Sequence, residues 1–148
     1  MSTLMAFLHH LAAFTLVAAL AVEFVLIRQE LTVSSARRLI ATDGVFGAAA
    51  GAVLVIGLLR VFFFEKGAAY YWSDHAFLTK FIVFVLVGLL SIVPTVEFLS
   101  WRKAVRAGEI PTVSAGKLKT IRTIMHVEVV GIVIILLAAA IMARGGWI

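Results

Sequence analysis

Four apolar runs, each long enough to cross a membrane, decide what this chain can fold into. They extend over about Leu4–Ile27, Gly44–Phe64, Ala76–Leu99 and Leu118–Ala143. A hydrocarbon core of about 30 Å takes roughly 20 helical residues at 1.5 Å each, and all four runs meet that length. They are built of Leu, Val, Ala, Phe and Ile without the strict alternation of a transmembrane strand, so a β-barrel does not fit. Composition agrees. Apolar residues make up 63% of the 148 and charged residues 14%, where soluble domains carry about 45–50% and about 25%. So few polar groups cannot cover that much apolar surface in water. The expected architecture is an all-α integral membrane protein, a bundle of four transmembrane helices forming one domain over residues 1–148.

The connections between the runs carry the charge asymmetry. The first, Arg28–Asp43, holds Arg28, Arg37 and Arg38. The third, Ser100–Lys117, holds Arg102, Lys103, Arg106 and Lys117, with Gly108 and Pro111 as helix breakers. Lys119 and Arg122 follow at the edge of the fourth run, whereas the second connection, Glu65–His75, has Lys66 alone. The positive-inside rule places connections one and three in the cytoplasm and both termini on the outer face of the membrane. Tyr70, Tyr71, Trp72, Trp101 and Trp147 fall where interfacial aromatics belong. The net charge of +5 is absorbed by this topology and does not point to nucleic acid. The first run has no Lys or Arg before it and exceeds a signal-peptide core in length, so it reads as a retained helix. Gly44, Gly47 and Gly51 offer small residues for close helix approach, and Pro94 should kink the third run.

Ionisable groups inside the runs are expensive, about 2.5–3.5 kcal/mol each on insertion scales, and so mark candidate sites. They are His9, His10, Glu23, Arg60, Lys80, Glu97, Arg122, His126 and Glu128. At about 1.5 Å per residue, His10 lies about 9 Å below the outer face, level with Arg60 and near Lys80. Glu23, Glu97 and Arg122 fall near the inner face, and His126 and Glu128 lie somewhat deeper. Snorkelling to the interface is an alternative for Arg60, Lys80, Glu97 and Arg122. A pairing of Arg122 with Glu23 or Glu97 would neutralise both groups, so Glu23, Glu97, Arg122 and Glu128 form a candidate proton or charge network.

The His9-His10 pair is the other candidate. With no cysteine in the chain, disulfides, thiolate metal sites and iron–sulfur clusters are excluded, and imidazole is the remaining strong ligand for a metal or haem iron. Two axial ligands of one iron stand only about 4 Å apart, whereas His10 and His126 differ by roughly 14 Å in depth. A clamp by that pair is disfavoured, and ligation by His10 alone is the expectation, with Met5, Met125, Met142 or water as second ligand. Phosphate-binding and zinc-protease motifs are missing from the sequence.

The segments Leu8-His9-His10-Leu11, Gly57-Leu58-Leu59-Arg60, Glu65-Lys66-Gly67-Ala68, Gly88-Leu89-Leu90-Ser91, Pro94-Thr95-Val96 and Ala143-Arg144-Gly145 resemble an uncharacterised family of small bacterial four-helix membrane proteins. The resemblance covers essentially the whole chain. More distantly, His10-Leu11, Arg60, Lys80 and Arg122 resemble the outline of HemJ-type protoporphyrinogen oxidases and CopD-like membrane domains. The pattern departs at Leu78, where HemJ-like proteins have a His, and at Met125-His126, which replaces an Asn-Glu. That likeness implies haem b and membrane redox or haem-related chemistry. His10 and His126 are then the candidate iron ligands, and Arg60 and Lys80 the cations for the propionates. A non-catalytic accessory subunit of a membrane complex and a small transporter are the alternatives. Expected partners are the lipid bilayer and a homo-oligomer or membrane redox partner.

Overall fold

The structure, a computed structural model, describes residues 1–145. The expectation for Trp147 lies outside the described residues. Among the described residues, four helical segments are long and apolar enough to cross a membrane: Ser2–Leu26, Val33–Phe64, His75–Arg106 and Ala115–Ala143. In chain order the elements are α1 (Ser2–Leu26), α2 (Val33–Leu59, extended by a π-helical turn at Arg60–Phe64), α3 (Ala68–Trp72), α4 (His75–Ser100), α5 (Arg102–Arg106) and α6 (Ala115–Ala143).

Side-chain caps set three of the helix starts. Thr32 Oγ1 accepts from the Ser35 amide at 3.1 Å and Ser35 Oγ accepts from the Thr32 amide at 2.8 Å, a reciprocal capping box. Asp74 Oδ1 accepts from the Ala76 amide at 2.9 Å, and Ser114 Oγ from the Lys117 amide at 3.1 Å. The Thr32 cap carries a consequence for function. It starts α2 at Val33, so most of the polar stretch before Gly44 is helix rather than connection, and Asp43 stands about three turns inside the element.

α1 packs along α2, and α4 along α6; lesser α2–α4 and α1–α6 contacts close the bundle. One end, called upper here, gathers the start of α1, the end of α2, α3, the start of α4 and the end of α6. The lower end carries the 27–32 and 101–114 connections. The lower core is dense: Ala36, Leu39, Phe98, Trp101, Ile121 and Met125 are almost fully buried in one cluster. A middle cluster packs Leu16, Leu20 and Phe46 against Ile132, and a small upper one joins Val61, Tyr71 and Phe77. Outward, Phe7, Phe14, Val22, Leu89, Val133 and Leu136 are exposed, as lipid-facing side chains must be.

The close helix approach expected at Gly44, Gly47 and Gly51 is not there. A Cβ added at any of the three meets nothing within 4 Å. Gly131 makes that approach instead, since its added Cβ would come 2.6 Å from Val87 Cγ2, across the α4–α6 contact. Spacing marks small residues on a helix; which face meets a neighbour is settled by helix rotation.

Candidate functional site

Two polar sites divide the bundle. The upper one is a cavity of about 290 Å³ between the helices, just below the range of about 300–1,000 Å³ for ligand sites. Its walls are apolar, with Leu16, Val53, Phe84 and Ile132 among them, and its polar groups are His9, His10, Arg60, Glu65, Tyr71 and Lys80. His10 Nδ1 lies 2.7 Å from the Ala6 carbonyl oxygen. A carbonyl only accepts, so Nδ1 carries the proton and Nε2 is left free. A histidine that ligates a metal is commonly held by such a bond at its other nitrogen. The His9 ring is seated where Gly57 leaves room: a Cβ there would stand 3.1 Å from His9 Cε1. His9 Nδ1 is buried and has no hydrogen-bond partner among the described residues.

The cations follow from the widened end of α2. Residues five apart share a side where the helix takes i→i+5 bonding, and there Arg60 Nη2 and Nε donate to Glu65 Oε1 at 2.8 and 3.2 Å. Lys80 makes no ion pair among the described residues; its Nζ lies 5.5 Å from the Phe77 ring centroid. Tyr71, in α3, closes the top, and burial pushes its phenol above the usual range.

The lower site is built from carboxyls. Glu23 of α1, Asp43 of α2 and Glu128 of α6 are all buried, at 2%, 6% and 1% exposure, where unpaired acids are almost never found. Glu23 and Asp43 stand beside each other, and Asp43 beside Thr95 of α4. Glu128 stands near enough to act electrostatically with both. Each spanning helix thus supplies one polar group. Glu23 Oε1 and Glu128 Oε1 have no hydrogen-bond partner, and no ion pair reaches the three acids among the described residues.

The sequence matches the family model described as "Predicted membrane protein (DUF2214)" over residues 1–146. The chain belongs to the DUF2214 family. It matches no curated protein and no solved structure.

In this DUF2214 protein the residues singled out from sequence divide unequally. His10, Arg60 and Lys80 meet at the upper cavity together with His9. His126 does not line that cavity; it is exposed, with its ring 6.4 Å from Phe24. Of the methionines considered as second ligands, Met142 lines the cavity and Met125 belongs to the lower core. Glu23 and Glu128 join as a network, but Glu97 and Arg122 stand outside it. The expected Arg122 ion pair is corrected: Arg122 Nε donates to the Ile27 carbonyl at 3.2 Å, so the side chain caps the end of α1. Glu97 accepts from Trp101 Nε1 at 3.1 Å and faces Lys117 Nζ at 4.0 Å. Sequence reasoning missed Asp43 and Thr95. The signal for Asp43 was the Thr32-x-x-Ser35 cap, which starts the helix well before hydropathy rises.

Proposed function

We propose that this integral membrane protein binds haem b at the upper cavity and serves membrane redox or haem-related chemistry. The observation that carries the reading is the cavity itself, which sets an imidazole with a free nitrogen and two cations around an apolar lining. The donor set fits the group: His10 would hold the iron through Nε2, and Arg60 and Lys80 would neutralise the propionates. Bound haem supplies one-electron chemistry. The chain's own part is to orient the His10 ring through Ala6, to keep water from the apolar wall, and to hold cations at the rim.

The lower acids take the proton side of this chemistry. Buried acids facing the bundle interior are the usual material of proton relays. Glu23, Asp43 and Glu128 hold and pass protons in this reading. The basic lower end faces the cytoplasm of a bacterial inner membrane and the upper cavity faces outward, in line with the Lys and Arg distribution.

The test is the absorbance of protein purified from cells supplied with ample haem. A Soret band is expected, lost or strongly shifted in His10→Ala and much less altered in His9→Ala and His126→Ala. A colourless protein overturns the haem reading. Infrared spectra across pH separate the proton reading from it: a carboxylic C=O band should vanish in Glu23→Gln, and its absence from the unsubstituted chain rejects the relay.

A further inference from the structure

A third feature lies at the lower end, on the outside of the bundle. An open groove of about 500 Å³ runs between α2 and α5, lined by Arg37, Ile40, Ala41 and Gly44 on one side and Arg102, Val105 and Arg106 on the other. On α2 these residues follow one another at helical spacing, so a single stripe starts with a guanidinium near the helix start and turns apolar toward the middle of the bundle. On α5, Arg102 and Arg106 are four apart and share a face with Val105. Among the described residues, none of the three arginines makes an ion pair or a side-chain hydrogen bond. Gly44 closes the deep end without a side chain, and a Cβ there would meet nothing within 4 Å.

That order of chemistry, three free guanidinium groups at the interface followed by an apolar floor toward the hydrocarbon, is the order of a phospholipid from head group to chains. We propose that the groove between α2 and α5 binds an anionic phospholipid of the surrounding leaflet, with the phosphate held by Arg37, Arg102 and Arg106 and the start of an acyl chain lying over Ile40, Ala41 and Gly44. Guanidinium forks bind phosphate in a bidentate manner that lysine does not reproduce, and basic pockets between helices at this depth suit acidic head groups. Bulk attraction of the basic end for anionic lipid would spread over Lys103 and Lys119 as well. The groove is distinguished by pairing charge with an apolar slot. The inference does not depend on haem or on the lower acids.

Native mass spectrometry of the full chain, released from micelles holding equal amounts of phosphatidylglycerol and phosphatidylcholine, tests it. One phosphatidylglycerol should be retained in preference to phosphatidylcholine. In Arg37→Gln/Arg106→Gln that preference should drop by roughly tenfold or more, the worth of two interfacial arginines, while the charge-matched Lys103→Gln/Lys119→Gln keeps most of it. Gly44→Leu, which keeps all three arginines and fills the slot, should also lose the lipid. Equal losses in the two double variants, or full retention in Gly44→Leu, would reduce the effect to general electrostatics and overturn the site. Inorganic phosphate that displaces the lipid at millimolar concentration would overturn it too, by making the groove a simple anion site. A variant that elutes as aggregate is replaced by Arg102→Gln, which must show a partial loss for the proposal to stand.

Discussion

The two halves of this bundle solve opposite problems with the same four helices. At the lower end, Phe98, Trp101, Ile121 and Met125 fill the space between helices, and three buried acids are enclosed above them. At the upper end the helices part around a cavity. A π-helical turn ends α2, a five-residue helix lies at the top, and the polar groups, two cations and two imidazoles with Glu65 and Tyr71, line an otherwise apolar space. The contrast teaches where a small membrane protein keeps room for a ligand. Close packing fixes the relative position of helices at one end, and that rigidity lets the other end stay open without collapse.

Truncating the lower core should show the contrast at its largest. Phe98→Ala removes a side chain with no exposure and is expected to cost about 3–5 kcal/mol, the range for emptying a buried aromatic site. Val61→Ala, in the small upper cluster, should cost clearly less. Reversible unfolding in mixed micelles measures both. Similar costs at the two ends would remove the distinction between a packed half and an open one.

Helix contact gives the next effect. In Gly131→Ala the new Cβ would stand 2.6 Å from Val87 Cγ2, so α4 and α6 must separate or Val87 must move, at about 1–3 kcal/mol. Gly47→Ala meets nothing and should be neutral or stabilise by about 0.5–1 kcal/mol through helix propensity. A neutral Gly131→Ala would mean that the α4–α6 seam is as loose as the cavity end.

The smallest effect belongs to the rim of the cavity. Arg60 and Glu65 are partly exposed, at 24% and 28% of their side chains, and a double-mutant cycle should give a coupling of about 0.2–1 kcal/mol. Its direction of use sharpens the functional reading, because Glu65→Gln releases Arg60 for an anionic group. In a protein that binds haem, Glu65→Gln is expected to hold it at least as well as the unsubstituted chain, read from the haem absorbance remaining after dialysis.

How much of this was legible beforehand differs between the sites. The upper one was readable in part because its members sit near span ends, where depth follows from counting at 1.5 Å per residue. His10 and Arg60 fall at one level on that count, with Lys80 slightly higher, and the fold brings them to one cavity. The lower one was readable only as single costly residues. Asp43 looked like part of a polar connection, because hydropathy locates the apolar stretch and is blind to a cap that starts the helix earlier. Arg122 looked like the partner of an acid, because charge suggests pairing, yet its guanidinium reaches a backbone carbonyl at the end of α1.

Sequence alone determined that the chain lies in a membrane, that it crosses it four times, and which end of the bundle is basic. Those properties follow from length, composition and order along the chain, which no packing can change. Tertiary structure alone decided that Glu23, Asp43, Thr95 and Glu128 meet, that Gly131 rather than Gly47 carries a close contact, and that His126 turns away from the cavity. Each of these depends on the rotation of one helix about its axis against its neighbours. In a segment apolar on every side, no hydrophobic face dictates that rotation, so it is set by how the side chains fit together.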